Sequence, residues 1–502
     1  MSEAAVKATT ETITFKMNGA SVTVPKGWTV MQAAKANKVE IPHFCWHPGL
    51  SVAGVCRFCM VRVQGRPKME IACNLQATEG MEVFTDTDEV KEAHKWALEF
   101  HLVNHPLDCP ICDQAGECGL QDYYMKVGKY QSQMTRPKVL KPKALDVGGD
   151  LVLDTERCIL CSRCVRFEEE VTKTGALGIF DRGDRAIVGT YPNKKISHNY
   201  TANLVDICPV GAFTSKDFRF KQRVWFLKDK PSVCPGCSTG CHIDVFAKEQ
   251  NRKYFRLKPR EYSAKHHWMC DTGRHLYEHM NRENRLTAPL VRGQKKGTST
   301  DLSTALSKVR DLLASANPAE VGLLVSAQYT NEEYEALFKF FVQDNGIKQV
   351  FAWRESNEKI EDFDGLLRRG DHNANTKGFG AIYEKYLGKK AALKNELDTM
   401  LAAKPKLVFA FCPEIASTFP SLKTQLAALE TVPEVVLFGL PLELERASAS
   451  VVIPSLGFAE KVGTFTNAHG EAGHLQEAFP KGVDSALSIQ EFTGSLAKTN
   501  AQ

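Results

Sequence analysis

The sequence predicts an α+β multidomain protein in which small cysteine-rich units precede a larger α/β domain. Fifteen of its sixteen cysteines lie at or before residue 270, in four groups, and only Cys412 follows. Short apolar runs separated by helix-like segments begin near residue 300. A length of 502 residues suggests about three domains as a first expectation.

Residues 11–86 are predicted to form a β-grasp, ferredoxin-like domain. Apolar and polar residues alternate from Ile13 to Met17, and the Asn18-Gly19 pair that follows is a strong signal for a two-residue hairpin. TVMQAAKANK then has a helical pattern, while CMVRV and MEVFT have the composition of strands. Strands, hairpin, helix and a cysteine-bearing loop occur in the order of that fold.

Three further cysteine-bearing segments are predicted before the α/β domain. The first begins with a helix near 88–104, capped by Asp86 or Asp88. The second surrounds a dense cysteine run, and the third opens on a strand in VWFLKDKPSV. The predicted boundaries of these segments are 87–140, 141–225 and 226–292.

The remaining residues, 293–502, are predicted to form a parallel α/β domain. Short apolar runs rich in Val, Leu and Phe have the composition of buried strands, and helical patterns separate the earlier ones. The runs are VGLLV (321–325), QVFAW (349–353), KLVFAF (406–411), EVVLF (434–438) and SVVIP (450–454).

Composition excludes several classes of protein. The net charge of +5 is small for this length, so we expect no nucleic-acid partner. No apolar run approaches the ~18 residues needed to cross a bilayer, and MSEAAVKATTETITF lacks the apolar core of a secretory signal. Cysteines in C-x2-C pairs therefore indicate metal binding in a reducing compartment rather than disulfide bonds.

The first ligand set, spaced C-x10-C-x2-C-x13-C, suits a [2Fe–2S] cluster held by four thiolates. Its spacing is looser than the plant-type C-x4-C-x2-C run, but the β-grasp context supports the assignment. A zinc site and buried free thiols are the alternatives. The predicted ligands are Cys45, Cys56, Cys59 and Cys73.

The second set lies in HPLDCPICDQAGEC (105–118), where three cysteines are one donor short of a four-ligand site. A histidine can complete such a site, and because neutral imidazole donates less charge than a thiolate, it raises the cluster potential. Pro106 keeps His105 near Cys109, so we prefer His105 over His101, one helical turn earlier. Zinc bound by the same donors is the main alternative. The predicted [4Fe–4S] ligands are His105, Cys109, Cys112 and Cys118.

The third set begins with C-x2-C-x2-C, the run found in bacterial ferredoxins. The usual Cys-Pro does not follow at once, so a distant Cys-Pro is expected to close a single [4Fe–4S] site. Zinc and packed thiols are again the alternatives. The predicted ligands are Cys158, Cys161, Cys164 and Cys208.

The fourth set, spaced C-x2-C-x3-C-x28-C, fits a [4Fe–4S] cluster better than zinc, which is typically bound by two C-x2-C pairs. Gly236 and Gly240 would let backbone amides approach the cluster sulfurs. The predicted ligands are Cys234, Cys237, Cys241 and Cys270.

Two other features have structural interpretations. Cys412 ends an apolar run in VFAFCPE and is expected to be a buried thiol at a strand end. Arg157, Arg163 and Arg166 surround the third set and are expected to be mostly solvated, although positive charge near a cluster would raise its potential.

These four sets, in this order, resemble those of the large iron–sulfur subunit family of NADH:quinone oxidoreductase, respiratory complex I. The resemblance runs from about residue 11 to 292. It is carried by CRFCMV, HPLDCPICDQAGECGLQDYY, RCILCSRCVRF, ICPVGA, CPGCSTGC and NRENRLTAPLVR. VVIPSLGFAEKVGTFTNAHG (451–470) resembles the end of the molybdopterin-type domain that this family carries.

The resemblance implies an electron relay without a catalytic residue or substrate site of its own. The first set would receive electrons from the flavin- and NADH-binding subunits, and the second and third would pass them toward quinone. The fourth occurs mainly in bacterial members and would be structural, off the main path. The implied location is the cytoplasmic side of a bacterial inner membrane, reached only through other peripheral-arm subunits.

The C-terminal third departs from the catalytic molybdopterin enzymes. About 230 residues follow Cys270, and no cysteine between Cys270 and Cys412 is present to bind molybdenum, so a shortened, cofactor-free domain is expected. A serine or an aspartate that binds molybdenum in place of cysteine is the alternative. Rival classes are a formate dehydrogenase type of molybdenum or tungsten enzyme, an iron-only hydrogenase, and a zinc-stabilised scaffold.

Overall fold

The structure, a computed structural model, describes residues 11–129, 131–132, 134–260, 267–292, 297–477, 479 and 481–497. The chain forms two compact units, each with its own sheets and core. The first unit is Met1–Trp225 and the second is Phe226–Gln502.

The first unit begins with a five-stranded sheet in the order β2-β1-β5-β3-β4. The central pair β1 and β5 is parallel and the other pairs are antiparallel. The strands are β1 (Thr12–Met17), β2 (Ala20–Pro25), β3 (Met60–Val63), β4 (Glu70–Ile71) and β5 (Glu82–Phe84). This mixed sheet, with one helix packed on it, is the predicted β-grasp arrangement.

The predicted hairpin between β1 and β2 is confirmed. Met17 pairs with Ala20, which leaves Asn18 and Gly19 as a two-residue turn. Both turn residues have positive φ, 52° and 80°, as a type I′ turn requires. The backbone twist of that turn matches the twist of the strands, so the register of the first hairpin is set locally.

The helix of this domain, α1 (Val30–Ala36), closes the core beneath the sheet. A capping box between Thr29 and Gln32 satisfies its first amides. The buried face of α1 packs with inward residues of β1 and β2 such as Phe15 and Val22. The loops that carry the first four cysteines leave from this core.

Two helices enclose the second cysteine segment: α2 (Asp88–Leu102) and α3 (Gly119–Val127). The prediction that Asp86 or Asp88 caps α2 is wrong. The side chain of Thr87 accepts the bond from the Val90 amide, at 3.3 Å, and Asp88 lies inside the first turn. Thr87 has the extended backbone that an N-cap requires, and Asp88 does not.

The last part of the first unit has short strands and helices around the third cysteine run. Strands β6, β7 and β10 form an antiparallel sheet, and β8 and β9 form a hairpin. The helix α4 continues directly into a π-helical turn, Phe167–Val171. The elements are β6 (Leu145–Asp146), β7 (Leu151–Leu153), α4 (Arg163–Arg166), β8 (Leu177–Phe180), β9 (Ile187–Thr190), α5 (Asn203–Ile207) and β10 (Phe213–Ser215).

The second unit begins with a three-stranded antiparallel sheet that frames the fourth cysteine set. Its strands are β11 (Lys228–Val233), β12 (His242–Lys248) and β13 (Lys253–Pro259), and the short helix α6 (Asp271–Arg274) follows. Three of the four cysteines lie in the β11–β12 connection, and Cys270 immediately precedes α6.

A seven-stranded sheet dominates the rest of the second unit, in the order β15-β14-β20-β19-β18-β16-β17. The five predicted apolar runs form its parallel strands, whereas β14 and β15 add an antiparallel edge that the sequence did not reveal. The strands are β14 (Leu290–Arg292), β15 (Gly297–Ser299), β16 (Val321–Ser326), β17 (Gln349–Trp353), β18 (Leu407–Phe411), β19 (Glu434–Gly439) and β20 (Val451–Pro454).

Helices cover both faces of this sheet. Leu323 and Val325 point into one core and Leu324 into the other, so β16 is buried throughout. A small hairpin, β21 (Gly463–Thr466) and β22 (Ala472–Leu475), follows β20. The helices are α7 (Leu302–Ser315), α8 (Asn331–Phe338), α9 (Thr376–Leu387), α10 (Leu397–Ala402), α11 (Leu422–Ala428) and α12 (Ile489–Ala497).

Candidate iron–sulfur sites

The four cysteines of the first set converge from separate loops of the β-grasp domain. Cys45 lies between α1 and β3, Cys56 and Cys59 lie just before β3, and Cys73 lies just after β4. None is more than 6% exposed. Gly54 has a φ of 64°, which bends the loop between Cys45 and Cys56 in a way that favours glycine.

The first set consists of two close thiol pairs, since Cys45 hydrogen-bonds with Cys56 and Cys59 with Cys73. In each pair the hydrogen bond lowers the pKa of one thiol, Cys45 or Cys73, and raises the pKa of its partner. The amides of Val55 and Cys56 also bond to the Cys45 sulfur. Two thiol pairs in one buried group suit two irons that each take two thiolates.

His105, Cys109 and Cys118 of the second set line one cavity of about 550 Å³. Cys112 is also buried, and a Cβ placed on Gly211 would clash with its sulfur. Burial, and then the charges of Cys112 and Cys208, raise the pKa of Cys118 to about 11. The structure thus brings the three thiols and the imidazole into one neighbourhood.

The His105 ring is half-buried and neutral, which suits a metal ligand. Its Nδ1 is buried and has no hydrogen-bond partner among the described residues. Burial, and then the positive charges of Lys138 and Arg157, lower its pKa to about 4. The imidazole is therefore unprotonated at neutral pH, which is the form that binds metal. An orphaned buried nitrogen fits an iron ligand.

The alternative ligand, His101, is engaged elsewhere. Its Nδ1 lies 2.6 Å from the carbonyl of Ala97, one turn back on α2. Its ring packs against Phe44 at 5.0 Å between centroids. His101 does not line the cavity that His105 and Cys109 share, so the geometry favours His105.

The four cysteines of the third set line one small cavity. Leu160 and Ser162 both adopt left-handed backbone, which folds the cysteine run into a tight loop. The Leu160 amide donates to the Cys158 sulfur at 3.4 Å. Burial raises the pKa of Cys158 to about 12 and that of Cys161 to about 11. Without metal these thiols keep their protons at neutral pH, and cluster binding would displace them.

The four cysteines of the fourth set also line one small cavity, together with Gly236, Gly240 and Gly273. The Gly273 amide donates to the Cys270 sulfur at 3.3 Å. A Cβ at Gly273 would lie 3.1 Å from Met269 Cε and 3.2 Å from the Cys234 sulfur, so a side chain here would crowd the cradle. Gly236 and Gly240 were predicted at this site, whereas Gly273 was missed, although it stands only three residues after Cys270.

The second and third sets are neighbours. The Cys118 sulfur lies 3.9 Å from the carbonyl of Pro209, the residue after Cys208. The Gly119 amide donates to the same carbonyl at 3.0 Å. The two sites therefore share a backbone contact, which is the proximity that electron transfer between them would need.

The expectation that the arginines around the third set are solvated is wrong for two of them. Arg157 is 5% exposed and Arg166 is 8% exposed. Arg157 pairs with Asp108 at 2.9 Å and with Asp154 at 3.3 Å. Arg166 instead donates to backbone carbonyls of two loops. Burial of both charges follows from contacts between segments far apart in sequence, which local patterning does not reveal.

The remaining cysteine, Cys412, is fully buried directly after β18, as predicted. Its sulfur points toward the Ala410 carbonyl at 3.6 Å, and burial raises its pKa. A Cβ added to Gly439 would lie 3.4 Å from that sulfur, so the thiol fills space between two strands.

The carboxyl edge of the parallel sheet is occupied by its own side chains. The strand order reverses between β16 and β18, where open α/β sheets bind ligands. There the buried Lys461 ammonium lies 2.7 Å from Glu333 and also bonds to Glu414. Burial raises the pKa of Glu414 to about 7. These side chains are engaged with one another.

Four family profiles match successive parts of the chain. They are described as a 2Fe-2S iron-sulfur cluster binding domain (10–88), an NADH-ubiquinone oxidoreductase-G iron-sulfur binding region (95–133), an NADH-quinone oxidoreductase subunit 3 ferredoxin-like domain (148–214) and a molybdopterin oxidoreductase Fe4S4 domain (227–282). These matches favour iron–sulfur clusters over zinc at the four cysteine sets.

Several curated proteins are similar to this chain over part of their length. The G-type subunit of NADH-quinone oxidoreductase from Mycobacterium bovis is 35% identical over 72% of this chain and 46% of its own length. The mitochondrial NADH dehydrogenase [ubiquinone] iron-sulfur protein 1 of Solanum tuberosum is 37% identical over 67% and 45%. NADPH-Fe(3+) oxidoreductase subunit alpha of Geobacter sulfurreducens is 32% identical over 64% and 38%. The chain therefore spans about half the length, or less, of these relatives.

Among the described residues, no helix combines the length and apolar character needed to span a bilayer.

Replacing His105 with Cys is expected to keep a tetranuclear cluster but to lower its midpoint potential. A fourth thiolate adds negative charge, which disfavours the reduced state. Potentiometric EPR of the second cluster measures the shift. His101→Gln, one turn earlier, is the matched control and should leave this potential unchanged. A shift with the control but none with His105→Cys would show that His101, and not His105, binds the cluster.

Replacing Cys412 with Ala is expected to leave the iron and sulfide content unchanged. The variant should lose about 1 kcal/mol of stability, because truncation of a buried side chain leaves a small cavity. Metal analysis and urea unfolding measure the two effects. Loss of iron from this variant would contradict the assignment of Cys412 as a packing residue.

Proposed function

We propose that this chain, a homologue of the G-type subunits of NADH-quinone oxidoreductase, is an electron-transfer subunit of such an oxidoreductase. The observation that carries the proposal is the presence of four ligand groups, each with four donors, in the order of the four matched domains. Most of their thiols are buried, whereas Cys109 is exposed. The whole enzyme would oxidise NADH and reduce a quinone. This chain would relay electrons and would have no substrate site of its own.

The proposed cofactors are one [2Fe–2S] cluster and three [4Fe–4S] clusters. Bound clusters would supply one-electron transfer with little change in ligation. The chain's own residues hold them in buried loops, donate backbone amides to sulfur and set the local charge. We assign the [2Fe–2S] cluster to the first set and [4Fe–4S] clusters to the second, third and fourth sets.

The proposed domains are 11–86, 87–140, 141–225, 226–292 and 293–502. The first three carry the first, second and third sets, and the backbone contact at Pro209 supports transfer between the second and third. The fourth set would be structural, off the main path. The final α/β domain would carry no cofactor of its own.

The proposed partners are the flavin- and NADH-binding subunit and other peripheral-arm subunits of the oxidoreductase. The chain would reach the cytoplasmic side of a bacterial inner membrane through those subunits. The supporting observations are the homology to the G-type subunits of NADH-quinone oxidoreductase and the lack of a membrane-spanning helix among the described residues.

A second candidate function has one specific observation in its favour. The Geobacter sulfurreducens relative is named NADPH-Fe(3+) oxidoreductase subunit alpha, and its match covers 64% of this chain. In that case the same relay would serve NADPH and a ferric acceptor. Purification of the native complex, followed by reduction assays with NADH or NADPH and with quinone or ferric iron, separates the two candidates.

Two cysteine variants test the relay within the native complex. Cys164→Ala, in the third set, is expected to abolish NADH-driven quinone reduction because the path is interrupted. Cys234→Ala, in the fourth set, is expected to lower thermal stability more than turnover. Both are measured in the purified complex, with Cys412→Ala as the matched control.

Two outcomes would contradict this assignment. Unchanged turnover in Cys164→Ala complexes that lack the third-set EPR signal would exclude that cluster from the path. A Cys234→Ala complex that assembles and melts normally but passes no electrons would place the fourth cluster on the path.

A further inference from the structure

One helical face reaches from the third set to the loop of the first set. Arg163, Arg166 and Glu170 are spaced three and four residues apart, so they lie on the same side of α4 and its π-helical extension. All three contact the loop between Cys45 and Ser51.

Arg166 makes the central contacts of this face. Its guanidinium donates to the carbonyls of Cys45 and Ser51 on one side. On the other side it donates to the carbonyl of Cys161, at 3.5 Å, and its Nε donates to the Ser162 hydroxyl at 3.3 Å. It therefore binds the backbone of one predicted ligand from each of two cluster sites.

Arg163 and Glu170 make further hydrogen bonds between this helical face and the loop after Cys45. Arg163 donates to the Trp46 carbonyl at 2.6 Å and to the Ile207 carbonyl, next to Cys208, at 3.0 Å. The carboxylate of Glu170 accepts the Ser51 amide at 2.9 Å. Hydrogen bonds from consecutive turns of one helix thus hold the loop after Cys45 against the third set.

The charge of Arg166 has no carboxylate partner among the described residues. Its acceptors are carbonyls and one hydroxyl, although its side chain is buried. A buried charge is costly unless an opposite charge compensates it. Arg157 shows the usual solution, because Asp108 and Asp154 neutralise it. Near Arg166 the anionic groups are the Glu170 carboxylate, which binds the same Ser51 without an ion pair to Arg166, and the cysteine sets on either side.

We propose that Arg166, assisted by Arg163, is a positioning residue that fixes the first and third cluster sites against each other and raises both potentials. The inference rests on the proposed function, because it needs clusters at both sets. Its support is geometric: one buried cation contacts the ligand backbone of both sites.

The proposal predicts that the midpoint potentials of the first and third clusters shift in the same direction when Arg166 is replaced. Reduction adds negative charge to a cluster, and a nearby cation stabilises the more negative state. Removing the cation should lower the midpoint potentials of the first and third clusters together. The second cluster should respond less, since the described contacts of Arg166 reach neither His105 nor its three cysteines.

The test is a potentiometric EPR titration of the full chain in its native complex. Arg166→Gln is expected to lower the ratio of reduced to oxidised cluster about tenfold at a fixed potential, which is about 59 mV for a one-electron couple. Arg166→Lys keeps the charge and should restore both potentials toward the wild-type values. If the Arg166→Gln complex fails to assemble, Arg163→Gln replaces it. This variant should also lower the midpoint potentials of the first and third clusters.

Arg62→Gln is the matched control. Arg62 lies on β3, in the domain that carries the first set, but it pairs with Glu89 at 3.3 Å and its side chain is 30% exposed. Its removal should leave the first-cluster potential unchanged. Unchanged potentials in the assembled Arg166 and Arg163 variants, or a shift of equal size in Arg166→Lys, would overturn the electrostatic role. A wild-type complex without first- and third-set EPR signals would instead refute the proposed function.

Discussion

The structure depends on bringing cysteine thiols together in loops where most of them are buried and where several thiolate charges would repel one another. Burial raises the pKa of Cys158, Cys164 and Cys208, and neighbouring thiolates add to the effect for Cys158 and Cys164. Such a group cannot hold several negative charges on its own. A polynuclear metal cluster would supply the missing positive charge, and cluster binding would then be coupled to folding of these loops.

Several residues around the cysteines accommodate this crowding of thiols. Left-handed residues such as Leu160 and Ser162 curl the loops tightly enough for amides to face sulfur. Gly273 keeps a cradle open beside the fourth set. The proposed second site would use a different solution, because the His105 imidazole would contribute a donor without a negative charge. Arg166 adds a buried cation where two thiolate groups come close.

Local features of the fold were predictable because they depend on neighbouring residues. The Asn18-Gly19 turn and the apolar strands follow from short-range patterns, and His105 lies beside its cysteines because only a rigid Pro106 segment separates them. Contacts between distant segments were not predictable in this way. Arg166 was expected to be solvated. Its acceptors belong to a loop more than a hundred residues earlier, so the sequence around Arg166 gives no sign of these contacts. The antiparallel edge formed by β14 and β15 likewise depends on pairing with β20, far along the chain.

The most direct test of cluster binding is iron and acid-labile sulfide analysis, with Mössbauer spectroscopy, of anaerobically purified protein. We expect about 14 irons per chain, in one binuclear and three tetranuclear clusters. A folded, colourless protein that contains zinc and no sulfide would contradict the assignment of all four sets.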